Sequence, residues 1–144
     1  MSELVTARLV LETISTMIPC EIHEAKEYYR IGDLAREFEV SLRTLRFYED
    51  RGLLHPKRSG STHLYTRKDR KRLKIILLIK SLGFSLVDIE EMLKLYDSDQ
   101  NNDGPDTILG KFSQQLKVLE SQKADIERAI SDIEDATRRI QEIN

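Results

Sequence analysis

Apolar residues recur with helical spacing in the middle of the chain and predict two short helices. One face of the first helix is apolar and consists of Ile31, Leu34, Ala35 and Phe38. Ser41 is a favourable N-cap for a second helix that runs to about Arg51. Gly52 stands where a helix end favours a left-handed residue, and Pro56 prevents the helix from resuming. Two short helices joined by a tight turn form a helix-turn-helix.

Residues 57–66 predict a small two-stranded wing after this helix pair. Their centre has turn chemistry, in Ser59, Gly60 and Ser61. The following positions suit a strand, with Thr62, Leu64, Tyr65 and Thr66. A winged helix-turn-helix is therefore expected.

A second pair of helices follows the wing. The first runs from about Arg67 to Ser81, dense in charge at its start and apolar towards its end, and Gly83 terminates it. Ser85 with Asp88 forms a capping-box start for the next helix, which reaches about Tyr96.

From Thr107 onward the pattern is a heptad repeat. Positions step by three and four residues without a slip, and eight of the ten seam positions are apolar: Leu109, Phe112, Leu116, Leu119, Ile126, Ile130, Ile133 and Ile140. A helix of this length, about 50 Å, would overhang so small a domain. The pattern favours a coiled coil between two copies of the chain. The alternative is a lone amphipathic helix packed on its own domain.

The predicted fold is all-α with a small β wing. Residues 1–27 form an N-terminal extension with one short helix around Thr6–Met17, and residues 28–97 form the DNA-binding domain. Residues 98–106 are a polar linker, and residues 107–144 are the dimerisation helix.

Charge is distributed unevenly although the net charge is only −2. Residues 30–80 carry fourteen basic and six acidic side chains, whereas residues 1–29 carry two and five, and residues 81–144 seven and fourteen. A basic segment between acidic ones is typical of a protein that binds a polyanion. A solvated basic face without a partner is the alternative.

Composition argues against several other classes of protein. The only cysteine is Cys20, so neither an internal disulfide nor a multi-cysteine metal site is expected. The longest apolar run, Ile75–Ile79, is far shorter than a membrane span. The three histidines are scattered, and no catalytic arrangement or phosphate loop is evident. We expect a cytoplasmic protein, acting at the nucleoid, with no enzymatic activity, no metal and no cofactor.

The candidate DNA contacts lie on the second helix, in the wing and at the start of the next helix. The second helix offers Ser41, Arg43, Thr44, Arg46 and Tyr48 for the major groove. The wing and the residues after it offer Lys57, Arg58, His63, Tyr65 and Arg67 for the backbone or minor groove. The alternative for each arginine is a surface ion pair with Glu37, Glu49 or Asp50. Of Phe47 and Tyr48, one is expected to pack inside.

These residues resemble the signature of the MerR family of transcription regulators. The similarity lies in Ile31–Ala35, in the specific run Val40–Leu54, in Leu64-Tyr65 of the wing, and in Ile79–Leu86. It covers residues 28–97 closely and residues 107–142 by architecture.

The resemblance implies a homodimer with an antiparallel coiled coil. It implies binding to a palindromic element between the −35 and −10 promoter elements, with distortion of the spacer so that RNA polymerase engages both. It also implies a small-molecule effector, whose identity the sequence does not give, that biases the DNA shape.

Two departures from the family pattern bear on the mechanism. Metal- and redox-sensing members carry cysteines around the dimerisation helix, and this sequence has none there. His63 stands where the wing usually has an arginine, so its phosphate contact is expected to be weaker or pH-dependent. The short ending and Leu95-Tyr96-Asp97 resemble the branch that controls leucine and acyclic-terpene catabolism.

Two other functions remain open from the sequence. One is an architectural or recombination-type DNA-bending protein that has no effector. The other is a coiled-coil interaction module whose basic patch is incidental.

Overall fold

The computed structural model describes residues 5–17, 27–98 and 103–144. These residues are mostly helical with one small antiparallel sheet, which confirms the predicted fold class. The elements in chain order are α1 (Ala7–Ser15), β1 (Tyr28–Arg30), α2 (Ile31–Phe38), α3 (Leu42–Asp50), β2 (Lys57–Ser59), β3 (Thr62–Thr66), α4 (Arg67–Ser81), α5 (Leu86–Asp97) and α6 (Gly104–Ile143). The chain divides into two compact units, residues 1–105 and residues 106–144. The cysteine at position 20 lies outside the described residues.

The helix-turn-helix forms where the capping signals place it. Helix α2 ends at Glu39, whose left-handed backbone (φ 53°) makes the tight turn into α3. The Ser41 hydroxyl accepts a hydrogen bond from the backbone N–H of Thr44 at 3.1 Å and thereby caps α3. Gly52 is left-handed (φ 74°) just beyond the end of α3. The predicted bounds of both helices are confirmed.

The sheet has three strands in the order β1-β3-β2, all antiparallel. Strands β2 and β3 form the predicted hairpin of the wing, with Gly60 left-handed in its turn. Strand β1 adds a third strand, with Tyr29 opposite Tyr65. The prediction of two strands was incomplete, because β1 is too short to show an alternating pattern and, unlike β2, is not joined to β3 by a turn.

Helices α4 and α5 supply most of the core of the first unit. Their fully buried side chains include Leu73, Ile75, Ile76, Ile79, Met92 and Leu93. Helix α1 packs on both helices and buries Leu11 completely. The Tyr96 hydroxyl donates a hydrogen bond to Glu12 Oε1 at 3.0 Å, and the Arg8 guanidinium carbon lies 5.3 Å from the centre of the Tyr96 ring. The described part of the N-terminal extension is therefore integrated into this core.

The second unit is a single long helix. Helix α6 begins at Gly104, three residues before the predicted start at Thr107, so the end of the expected linker is helical. Pro105 is compatible with this start because the first turn of a helix does not use its backbone N–H groups. Seven of the eight apolar seam residues are 41–67% exposed, and Phe112 is half-buried. The seam therefore presents a mostly apolar stripe along the protomer, interrupted at Lys123 and Thr137.

Candidate DNA-binding surface

Helix α3 presents one face to solvent and packs the other into the core. Leu45 and Tyr48 are buried, whereas Arg43, Arg46 and Phe47 are exposed. The exposed side chains are three and four residues apart and share one face of the helix. Within the described residues, neither Arg43 nor Arg46 forms an ion pair. Both guanidinium groups are thus available to an external partner.

Ser41 and Thr44 lie at the N-terminal end of this face and interact with each other. Their hydroxyl oxygens are 2.8 Å apart, in addition to the capping bond of Ser41. The Ser41 hydroxyl therefore has a structural role in starting α3. Capping leaves the end of the helix exposed, where its free N–H groups and its dipole attract anions.

A hollow of about 530 Å³ separates α3 from the tip of the wing and the start of α2. Its lining includes the side chains of Arg30, Arg36 and Arg46, together with Thr62 and His63. Arg36 is held by Asp33 at 2.8 Å. Three guanidinium groups around a hollow of this size make a positive recess that suits a phosphate group.

Arg30 and Arg36 were not among the residues singled out from the sequence. A local signal was present at Arg30, the N-cap of α2, whose backbone N–H donates a hydrogen bond to Asp33 Oδ2 at 3.0 Å. Their proximity to the wing, however, depends on the fold of the sheet and is not visible in the spacing.

The wing places its basic residues at the surface. Lys57 and Arg58 are exposed on β2, and Arg58 lies opposite His63 in the hairpin. The Lys57 ammonium is 5.8 Å from the centre of the Tyr28 ring, which lies on β1. Both cations are therefore exposed on the wing, where the sequence predicts contacts with DNA, although neighbours on one strand point to opposite faces of the sheet.

His63 and Tyr65 connect the wing to α3 through Glu49. The Tyr65 hydroxyl donates to Glu49, and His63 Nδ1 lies 3.1 Å from Glu49 Oε2. Tyr65 is fully buried, so the expectation that its side chain contacts DNA needs correction. His63 is half-buried, and its Nδ1 already faces a carboxylate.

Tyr48 needs the same correction as Tyr65. Its side chain is 2% exposed and belongs to the core, while its neighbour Phe47 is exposed. This settles which member of the pair packs inside. The two rings are nevertheless near each other, with centroids 6.1 Å apart and ring planes tilted by 50°.

The basic residues at the start of α4 have divergent roles. Arg67 is exposed in the first turn, immediately after the N-cap Thr66. Arg70 instead forms a two-pronged ion pair with Glu37 of α2, with Nε–Oε distances of 3.0 and 3.1 Å. Arg72 is buried, donates to the Leu53 carbonyl and pairs with Asp97. The positive charge of this segment thus serves partly to join helices.

The described residues contain no group of three or more His, Cys, Asp or Glu side chains arranged to hold a metal ion. In the same ranges, no helix has both the length and the apolar character needed to cross a membrane.

Two family models together match nearly all of the chain from the start of the sheet onward. The model for the MerR HTH family regulatory protein matches residues 29–95. The model described as MerR, DNA binding matches residues 70–143.

Two relatives have similar sequences over most of their length. The HTH-type transcriptional regulator ZntR of Escherichia coli (strain K12) is 32% identical over 118 residues, which cover 81% of this chain and 78% of the relative. The mercuric resistance operon regulatory protein of Bacillus cereus is 32% identical over 111 residues, which cover 74% of this chain and 83% of the relative.

Solved structures extend the similarity to three dimensions. A MerR family transcriptional regulator from Bacillus cereus aligns with a TM-score of 0.68 at 28% identity, over 79% of this chain and 83% of the other. HiNmlR, described as a MerR family regulator lacking the sensor domain and bound to promoter DNA, aligns with a TM-score of 0.53 at 28% identity, over 72% and 79%.

Proposed function

Because the chain belongs to the MerR family of helix-turn-helix regulatory proteins, we propose that it binds palindromic promoter DNA as a homodimer and controls access of RNA polymerase. The observation that carries this proposal is the exposed face of α3, where Arg43 and Arg46 lie side by side without an internal partner. Arginine is the side chain that most often reads base edges in the major groove.

The recess between α3 and the wing supports two kinds of DNA contact at this surface, to bases and to phosphates. In this proposal Arg43 and Arg46 read bases, and the exposed side chains of Arg30, Arg36, Lys57 and Arg58 contact phosphates. Phosphate contacts fix the position of a protein on DNA, and base contacts give the sequence specificity.

The apolar stripe of α6 supports the homodimer. A helix of 40 residues spans about 60 Å. An exposed apolar stripe from Leu109 to Ile140, about 47 Å long, is costly in water, and a second copy of the same helix would cover it with matching spacing. An antiparallel pair is two-fold symmetric and would present two copies of α3, one for each half of a palindrome.

The regulatory step consists of distorting the promoter spacer between the −35 and −10 elements. Bending such a site costs about 1–6 kcal/mol and must be offset by contacts on both half-sites. A small-molecule effector would act by favouring one DNA shape over another. The protein would perform this task in the cytoplasm, at the nucleoid.

Footprinting on the DNA upstream of its own gene, with RNA polymerase present, tests the proposal. We expect protection of a palindrome between the two promoter elements, with enhanced cleavage at its centre where the DNA is distorted. Protection of a recombination site instead would favour an architectural DNA-bending protein. Absence of protection from any DNA would favour an interaction module based on the coiled coil.

A further inference from the structure

A second hollow, of about 450 Å³, lies within the first unit between α3 and the junction of α4 and α5. Its apolar lining comes from the side chains of Phe47, Phe84, Leu86 and Ile89. It is distinct from the arginine-lined recess beside the wing, which lies against other residues of α2, α3 and β3. Its size and apolar lining suit a small organic molecule.

Two cations border this apolar surface. Arg43 comes from α3 and Lys80 from the last turn of α4, and both side chains are exposed. No acidic side chain lines the hollow, and neither cation forms an ion pair within the part of the chain that the structure describes. An apolar surface bordered by two uncompensated positive charges favours a ligand with an apolar body and one anionic group.

Tyr48 also lines the hollow. Its side chain is 2% exposed, and its hydroxyl has no hydrogen-bond partner among the described residues. Buried hydroxyl groups in folded proteins are nearly always hydrogen-bonded, so a buried hydroxyl without a partner is unusual. The hydroxyl oxygen has almost no accessible surface, so the ligand contacts assigned to the hollow are those of the two cations and the apolar side chains.

We propose that this hollow binds a small carboxylate with an apolar body, and that the bound carboxylate competes with DNA for Arg43. The competition rests on the proposed function, because it requires that Arg43 contacts DNA. A carboxylate paired with Arg43 neutralises a charge on the reading face of α3. DNA affinity therefore falls when the ligand is bound, and ligand affinity falls by the same factor when DNA is bound.

Octanoate is a suitable probe, with octanol as a matched neutral control. Titration of the isotopically labelled full-length protein is followed by the NMR signals of Phe84, Leu86 and Ile89. We expect saturable shifts with octanoate and weaker binding of octanol. Lys80→Ala should weaken octanoate binding roughly fivefold, since a surface-exposed cation contributes modestly. Lys94→Ala removes an exposed lysine of α5 that does not line the hollow, and should leave octanoate affinity unchanged.

The coupling to DNA is measured separately, by fluorescence anisotropy of a labelled promoter fragment. Saturating octanoate should weaken DNA binding, and Lys80→Ala should bind DNA normally while requiring more octanoate for the same effect. Tyr48→Phe should retain both its melting temperature and its octanoate affinity, because the removed hydroxyl has no partner and almost no accessible surface.

Three results would overturn the proposal. The first is no binding, or equal binding of octanoate by the protein and by Lys80→Ala. The second is a response of the Phe84 and Leu86 NMR signals to protein dilution but not to octanoate. That result would mean that a second copy of the chain fills the hollow. The third is DNA affinity that saturating octanoate does not change. Octanoate binding by a chain that binds no DNA would support the carboxylate site and refute the proposed function.

Discussion

Truncation of two seam residues should dissociate the proposed dimer without unfolding the helix. Ile126 and Ile130 lie on the apolar stripe of α6 and are 60% and 51% exposed in the protomer. Changing each to Ala removes three carbons, worth roughly 0.8 kcal/mol apiece when fully buried. Scaled by the exposed fraction that a partner would cover, the loss is about 1.3 kcal/mol at each position.

The symmetry of the dimer multiplies this loss. Two positions on each of two chains give about 5 kcal/mol, which corresponds to roughly a 5,000-fold rise in the dimer Kd. This is an upper value, because it assumes complete burial of the truncated atoms. Alanine has a higher helix propensity than isoleucine, so the helix itself should persist.

Sedimentation equilibrium of Ile126→Ala/Ile130→Ala measures the dimer Kd, with circular dichroism as the check on helicity. Val118→Ala is the matched control, since Val118 is 46% exposed on α6 but lies two residues past the seam position Leu116. A dimer that tolerates the double change, or one weakened equally by the control, would refute the assignment of the seam as the interface.

Three further predictions concern the packing of α1. Leu11→Ala should lower the free energy of unfolding by about 2–5 kcal/mol, because Leu11 is fully buried against α4 and α5. A denaturant titration that shows no such loss would contradict this packing. Tyr96 should stay protonated well above pH 10, since burial and then the hydrogen bond to Glu12 raise its pKa to about 12. The stability from this raised pKa is present below pH 10 and is lost as the pH rises towards 12. In an alkaline titration followed by tyrosinate absorbance, Tyr96→Phe should remove one late step. An unchanged titration would argue against the hydrogen bond. Gly104→Ala should lower the melting temperature, because the new Cβ would lie 2.8 Å from the Cβ of Ala7. The double variant Ala7→Gly/Gly104→Ala should recover most of the lost melting temperature. A single variant as stable as the parent would place α1 elsewhere.

Local chemistry accounts for the parts of the fold that could be read from the sequence. Ser41 and Ser85 cap helices through atoms only three residues away, and Gly52 and Gly83 end helices by their own backbone conformation. Such signals require nothing from the rest of the chain.

Features that depend on distant partners were missed. Strand β1 is stabilised by Thr62–Thr66, more than thirty residues further along the chain. The burial of Tyr48 and Tyr65 and the pairing of Arg70 with Glu37 likewise depend on tertiary contacts, so a residue type that suits DNA can serve the core instead. At the start of α6, Gly104 and Pro105 were read as linker, although proline is also favoured in a first helical turn.

The affinity of Arg43→Ala/Arg46→Ala for the protected promoter fragment tests the central claim most directly. Each arginine that reads a base is worth about 1–3 kcal/mol, so four of them in a dimer contribute at least about 4 kcal/mol, or roughly a thousandfold in Kd. Arg128→Ala/Arg139→Ala removes the same charge from exposed positions of α6 and is the matched control. We predict that the α3 variant loses roughly a thousandfold in affinity and its preference for the palindrome, while the control binds like the parent. Equal affinity of the two variants for the fragment would contradict the assignment of α3 as the reading helix.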